Sequence, residues 1–166
     1  RLGLAIDQVE ADYDVVVIDC PPQLGFLTMS ALIAATTVLI TVIPSMLDIA
    51  SMNQFLQMTA GLLSVVSSYG ASLEYDYLKF LITRFEPSDG PQAQMAGFLR
   101  ALFTDQVMTH TFLKSTAVSD AGLTQQTLYE VDRGEFNRNT YDRAVESINS
   151  VVGEMEELIQ AAWGRG

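Results

Sequence analysis

A chain of 166 residues, 49% hydrophobic and 17% charged, is long enough for one domain with a real core and is more apolar than an average soluble domain. Lys+Arg 9 against Asp+Glu 20 gives a net charge of −11, which excludes a general polyanion-binding surface but leaves room for a local basic patch. One cysteine, Cys20, and one histidine, His110, exclude an internal disulfide framework and a zinc pattern, and fit a reducing cytosol.

In chain order, Leu2, Ile6 and Val9 lie on one face of a helix already in progress, read here over residues 2–11. Asp7, Glu10 and Asp12 stand where a signal peptide would need a basic flank and an apolar segment, and Arg1 is not an initiator methionine. The expectation is a chain that begins inside a larger protein. Val15, Val16, Val17 and Ile18 then form a β-branched run apolar on both faces, predicting a central strand over 14–19 in a covered parallel sheet. Pro21 and Pro22 forbid both helix and ladder pairing, so Asp19 is delivered to the carboxyl end of that strand, the edge where open α/β sheets bind ligands. Two readings of Asp19 stay open. It holds a hydrated Mg²⁺ beside nucleotide phosphates, as the second acidic motif of P-loop enzymes does, or it only starts a turn.

Leu27 to Ala35 predicts a helix with a narrow apolar face, and Thr37 to Val42 the next buried strand, ended by Pro44. Asp48 is placed as the N-cap of a long helix in which Met52, Phe55, Leu56, Thr59, Leu62, Leu63 and Val66 recur at helical spacing. Residues 20–47 and 49–73 carry no charge and are long enough to span a bilayer. Pro21, Pro22, Gly25, Pro44, Asn53, Gln54 and Gln57 instead favour buried core elements. A third strand follows over Tyr77 to Thr83, then a polar turn at 86–90 and a helix from Pro91 through about Phe103. Gln106 to Thr111 reads as a short fourth strand, and residues 112–138 show no clear period. The last helix is capped by Asn139, with Asp142 in its first turn. Its stripe runs through Tyr141, Ala144, Val145, Ile148, Val152, Met155, Ile159 and Ala162. Strands alternating with helices imply an α/β fold with a mostly parallel sheet and right-handed crossovers.

The stretch DYDVVVIDCPPQLGFLTMSALIAATTVLITVIP is similar to the region around the second acidic motif of the ParA/MinD group of deviant P-loop ATPases, which act in plasmid and chromosome partitioning. FLKSTAVSDAGLTQQTLYEVDRGEFNRNTYDRAVESINSVVGEMEELIQAAWGR narrows the match: it resembles the carboxyl-terminal part of the RepA-type partitioning ATPases of repABC-type plasmids. The resemblance covers essentially the whole chain. It implies a three-layer, P-loop NTPase-like, mostly parallel sheet, incomplete at its N-terminus, with residues 1–166 forming the C-terminal portion of one ATPase domain. It also implies ATP and Mg²⁺ as cofactors of the complete protein, with Asp19 holding the metal through water as the catalytic acid. Pro21 and Pro22 match the switch that senses the γ-phosphate. Thr83 and Arg84 match the strand end that approaches the adenine, and Leu113, Lys114 and Ser115 the loop on its other side. Many relatives have proline where this chain has Leu113. Lys114 and Arg143 fall on segments that contribute to a non-specific DNA-binding face. The implied partners are a second copy in an ATP-dependent homodimer, non-specific DNA and a centromere-binding partition protein, in the bacterial cytoplasm on the nucleoid and without a membrane.

Each basic candidate also has a plainer reading as a solvated charge. The basic residues other than Arg1 all lie between Lys79 and Arg165, an asymmetry that permits a DNA-facing patch on an acidic body. The family's phosphate-binding loop is missing: no Gly-Lys-Ser/Thr occurs, and the only lysines are Lys79 and Lys114. The expectation is that this loop belongs upstream, so that this piece alone binds ATP poorly or not at all.

Three other readings compete. A MinD-like membrane-cycling ATPase would need a basic amphipathic C-terminal helix, whereas Glu146, Glu154, Glu156 and Glu157 mark the polar side of this one. A DNA- or partner-binding module without hydrolysis would separate from an ATPase in a nucleotide titration. A Cys20–His110 nucleophile–base dyad has no local support, because Cys20 sits in a proline turn.

Overall fold

The computed structural model describes residues 2–21, 23–69 and 74–164. They fall into two compact units, Arg1–Val38 with Ser51–Leu78, and Leu39–Ala50 with Lys79–Gly166.

In the first unit, helix α1 (Leu2–Ile6) is shorter than the apolar spacing suggested and gives way to hydrogen-bonded turns, with Val9 N–H on Ile6 O and Asp12 N–H on Val9 O. It lies against α2 (Phe26–Ala34): a Cβ added at Gly3 would meet the Ala34 Cβ at 3.9 Å. Thr28 and Ala31 are the buried residues of α2. The Thr28 hydroxyl donates to Gln23 O at 2.6 Å, which fastens the proline turn to the first turn of the helix. Opposite, the Tyr75 hydroxyl donates to Leu32 O at 2.9 Å.

The strand expected over 14–19 does not form. Residues 15–20 run without regular structure, and Val15, Val16 and Val17 are 46%, 46% and 83% exposed. A β-run becomes a strand only when a neighbour takes its N–H and C=O groups, and among the described residues none does.

Among the described residues the strands that form are β1 (Thr37–Val42) and β2 (Tyr77–Ile82), paired in one small sheet. Asp76 N–H reaches Thr36 O before the strands and Thr83 N–H reaches Val42 O after them. The register therefore advances in the same sense along both, and the pair is parallel. Helix α3 (Met46–Ser68) starts two residues before Asp48. Its cap is Ser45, whose hydroxyl accepts Asp48 N–H at 3.2 Å and is also bonded to the Asp48 carboxylate. Of the apolar residues expected to face a core, Met52 is buried, together with Thr59, while Leu62 is exposed.

The second unit builds on the free edge of β2. Residues 107–114 run parallel beside it through single bridges at Phe80–Val107 and Phe85–Leu113. The short fourth strand is therefore an edge of isolated bridges instead of a continuous ladder. Helix α4 (Gly90–Phe103) has Pro91 in its first turn and Asp89 as its cap, accepting Gln92 N–H. It buries Ala96 and Leu99, and the Phe103 ring lies 4.3 Å from that of Phe80. The aperiodic stretch contains helix α5 (Thr116–Leu123), whose buried face is only Ala117 and Ala121. Helix α6 (Arg138–Trp163) begins on Asn137 and not on Asn139: the Asn137 side chain accepts Thr140 N–H at 3.3 Å. Its buried row is Ala144, Ser147 and Val151, and Val152 is turned out to 44% exposure. Ala144 packs with Ala117, Ala121 and Leu128, while Val151 packs with Leu81 and Met108 against the sheet. The result is a mixed α/β fold around a small parallel sheet.

Candidate functional site

The carboxyl end of β2 carries Thr83 and Arg84. Thr83 is tied to β1 by its N–H, 2.9 Å from Val42 O. Arg84 follows with φ 51, a left-handed conformation that a non-glycine residue adopts at a cost and that clusters at functional turns. Phe85 then pairs with the neighbouring segment: its N–H donates to Phe112 O at 3.0 Å, and its C=O accepts Lys114 N–H at 2.9 Å. Thr83–Arg84 and Leu113–Ser115 are thus held side by side at one end of the sheet.

Lys114 extends to Glu86, Nζ to Oε2 3.1 Å, with the two side chains 58% and 43% exposed. Such a surface pair contributes little to stability and leaves the ammonium available to an anion. Ser115 is committed to capping α5, its hydroxyl accepting Ala117 N–H at 3.2 Å. Arg143 is exposed and lines a hollow of about 300 Å³ with Thr109, His110, Thr111, Leu113, Glu146, Ser147 and Ser150. Its neighbour Asp142 is paired with Arg133, across from it in sequence, and that contact raises the Arg133 pKa.

Asp19 and Pro21 belong to the first unit. Asp19 is exposed and, among the described residues, makes no ion pair or side-chain hydrogen bond. Pro21 is exposed and its carbonyl accepts from Gln23 N–H at 2.8 Å, a tight turn set by the proline ring. Pro22 lies outside the described residues. Cys20 is an exposed free thiol whose Sγ contacts Ile18 O at 3.8 Å, while His110 is engaged with Glu154, so the geometry offers the dyad no support.

Two residues organise the 109–113 segment: Ser147, which the sequence did not single out, and Glu154, which it assigned to the polar side of the last helix. Glu154 accepts Thr109 N–H at 2.7 Å and His110 N–H at 2.8 Å, and its Oε2 is 2.8 Å from His110 Nδ1. Burial pushes its pKa up, but the His110 and Thr109 amides, with the His110 ring, outweigh this and leave it below the ordinary carboxylate value. Ser147, 8% exposed, accepts Leu113 N–H and donates to Thr111 O, both at 2.9 Å. Ser147 stands on the buried row of α6, where a polar side chain needs an internal partner, but nothing local says which.

A further concavity of about 380 Å³ sits where the first turns of α3 and α4 meet, lined by Pro44, Ser45, Met46, Asp89, Pro91, Gln92, Gln94 and Met95. Among the described residues no group of three or more metal-capable side chains occurs, and no helix is long and apolar enough to cross a membrane.

Comparison with known proteins adds a second line of observation. The AAA domain family matches residues 1–67. A Rhizobium rhizogenes protein provisionally named replication protein A is 59% identical over 165 residues, covering 99% of this chain and 41% of that protein. Protein SopA of Escherichia coli is 31% identical over 98% of this chain and 42% of its own length. The chromosome partitioning protein ParA of Myxococcus xanthus is 33% identical over 64% of this chain and 36% of its own. The chain therefore spans about two fifths of the length of the curated relatives that it matches end to end.

Proposed function

We propose that the chain, a ParA-type segment, is the C-terminal portion of one plasmid-partitioning ATPase domain with a three-layer, P-loop-like sheet. The observation that carries the proposal is the pairing of Thr83–Arg84 with Leu113–Ser115. These are the two segments that would flank an adenine, and hydrogen bonds through Phe85 join them at the end of the sheet. Open α/β sheets bind nucleotides at that end.

Each unit carries residues whose chemistry would suit one part of a nucleotide. At the base, the loop backbone is fixed from both sides, which suits a flat ring held between two strand ends. At the metal, Asp19 is a single exposed carboxylate outside any protein cage. That suits Mg²⁺, which keeps several waters and leans on one or two carboxylates and the phosphates. The cradle for the phosphates, glycine-rich with its lysine, would come from the remaining length of the parent protein. When bound, Mg·ATP supplies a γ-phosphoryl group open to in-line attack by water.

The work of this chain's own residues follows. Asp19 would hold the metal through water, and Pro21 and Pro22 would carry a change at the phosphates toward α2, whose Thr28 hydroxyl reaches Pro21 O and Gln23 O. Thr83, Arg84 and Leu113 would orient the base. Lys114 and Arg143 would supply positive charge toward DNA, which would be gripped by an ATP-dependent homodimer and released after hydrolysis. A centromere-binding partition protein would be the further partner.

The test is ATP-dependent DNA retention and ATP turnover by the full-length protein, with and without Asp19→Ala. Loss of both is expected. Retention and turnover untouched by the substitution would remove the metal role.

A further inference from the structure

The edge segment 107–114 has two sides. Met108, Phe112 and Lys114 face β2 and Phe85: Met108 N–H donates to Phe80 O, Phe112 N–H to Ile82 O and Lys114 N–H to Phe85 O. Thr109, His110, Thr111 and Leu113 present backbone groups to the outer edge, where the next strand of a larger sheet would lie. No strand takes them among the described residues. Helix α6 does so with two side chains: Glu154 takes Thr109 N–H and His110 N–H, and Ser147 takes Leu113 N–H and donates to Thr111 O. One hydroxyl acting as donor and acceptor on alternate residues reproduces what a neighbouring strand would offer.

We propose that Ser147 is a positioning residue for nucleotide-base recognition, fixing through Leu113 and Thr111 the loop that faces the base, with Glu154 as the second anchor of the same segment. The inference rests on the base-site reading given above and deepens it. Three features carry it beyond packing. Ser147 is a polar side chain on the buried row of α6, where Ala or Val would satisfy the core. Both of its hydrogen bonds go to the candidate base loop, 36 and 34 residues away in sequence, and not back to its own helix. The bonded amide is that of Leu113 itself, the first residue of that loop.

The experiment is carried out on the full-length protein with Ser147→Ala and Ser147→Thr, measuring affinity for ADP, for GDP and for inorganic tripolyphosphate. A freed loop loses purchase on the base and not on the phosphates. Ser147→Ala is therefore expected to weaken ADP about five-fold, the scale of one lost hydrogen bond. The preference for ADP over GDP should narrow, tripolyphosphate should be unchanged, and Ser147→Thr should restore ADP to within about two-fold. Amide exchange at Leu113 should accelerate in Ser147→Ala and slow again in Ser147→Thr. Equal weakening of ADP and tripolyphosphate, or an unchanged ADP affinity despite faster exchange at Leu113, would show a purely structural hydroxyl and overturn the inference. Leu113→Asp is the control for the underlying reading. If it weakens ADP while Ser147→Ala does not, the base site stands and only the positioning role falls. If Leu113→Asp also leaves ADP unchanged, the base is bound elsewhere and both fall.

Discussion

Two apolar β-runs of similar composition end differently in this molecule. Residues 15–18, Val-Val-Val-Ile, have the stronger β-propensity, yet three of the four are exposed and no described residue pairs with them. Residues 77–82, Tyr-Leu-Lys-Phe-Leu-Ile, include a lysine, yet they form β2 and hold Phe80, Leu81 and Ile82 at 2%, 6% and 0% exposure. The difference is the supply of partners. The second run has β1 on one edge, residues 107–112 on the other and α6 across one face. Propensity nominates a strand, and pairing makes one.

The largest effect that would break this contrast is on stability. Leu99→Ala and Ile82→Ala, at positions with no exposed surface, are each expected to cost about 2–5 kcal/mol in denaturant unfolding of the chain. Val17→Ala, at 83% exposure, is expected to stay within about 0.5 kcal/mol. A loss at Val17 as large as that at Leu99 would mean that the 15–18 run is covered in solution. Repeating Val17→Ala in the full-length protein sharpens the same contrast. If the longer chain completes the sheet around this run, the cost should rise to the core range.

The edge of 107–114 gives the next effect. Glu154→Gln removes charge from two amide hydrogen bonds and is expected to destabilise by about 1.5–3 kcal/mol at neutral pH. The native state binds the ionised carboxylate and so holds its pKa below the ordinary 4.5. Its contribution is therefore complete above that value and is lost as pH falls through the depressed native pKa. The unfolding free energies of the two proteins should differ at neutral pH and converge as pH falls through the acid range. A gap that failed to close in acid would contradict the clamp.

Much of the fold was readable because it rests on signals with a period or a hard stop. Thr37–Val42 and Tyr77–Ile82 carry mostly apolar runs ended by Pro44 and by the polar turn at 86–90, and α4 has Pro91 in its first turn, where proline is tolerated. Helix α5 was not readable, because its buried face is two alanines and a small residue at spacing four is a weak signal in any chain. In the candidate site, Thr83, Arg84 and the 113–115 loop came from resemblance, and the geometry joins them through Phe85. The roles of Ser147 and Glu154 were not readable, since they depend on a segment 34 to 45 residues away. Pairing across that distance is a property of tertiary structure, and no local spacing encodes it.

The smallest prediction concerns the start of α6, where the same rule acts at a helix end. Asn137 and Asn139 are both exposed asparagines within three residues, and composition alone favours neither as the cap. Only Asn137 has its side chain on an orphan amide, that of Thr140. Asn137→Ala should therefore destabilise by about 1 kcal/mol. Asn139 already lies within the helix, where alanine is the better helix former, so Asn139→Ala should be neutral or stabilising by a few tenths of a kcal/mol. Opposite signs at two like residues are expected in thermal melts. Equal losses would mean that the helix frays back to start at Thr140, with Asn139 as its cap. At the helix end, as at the sheet edge, what counts is which side chain meets an unpaired backbone group.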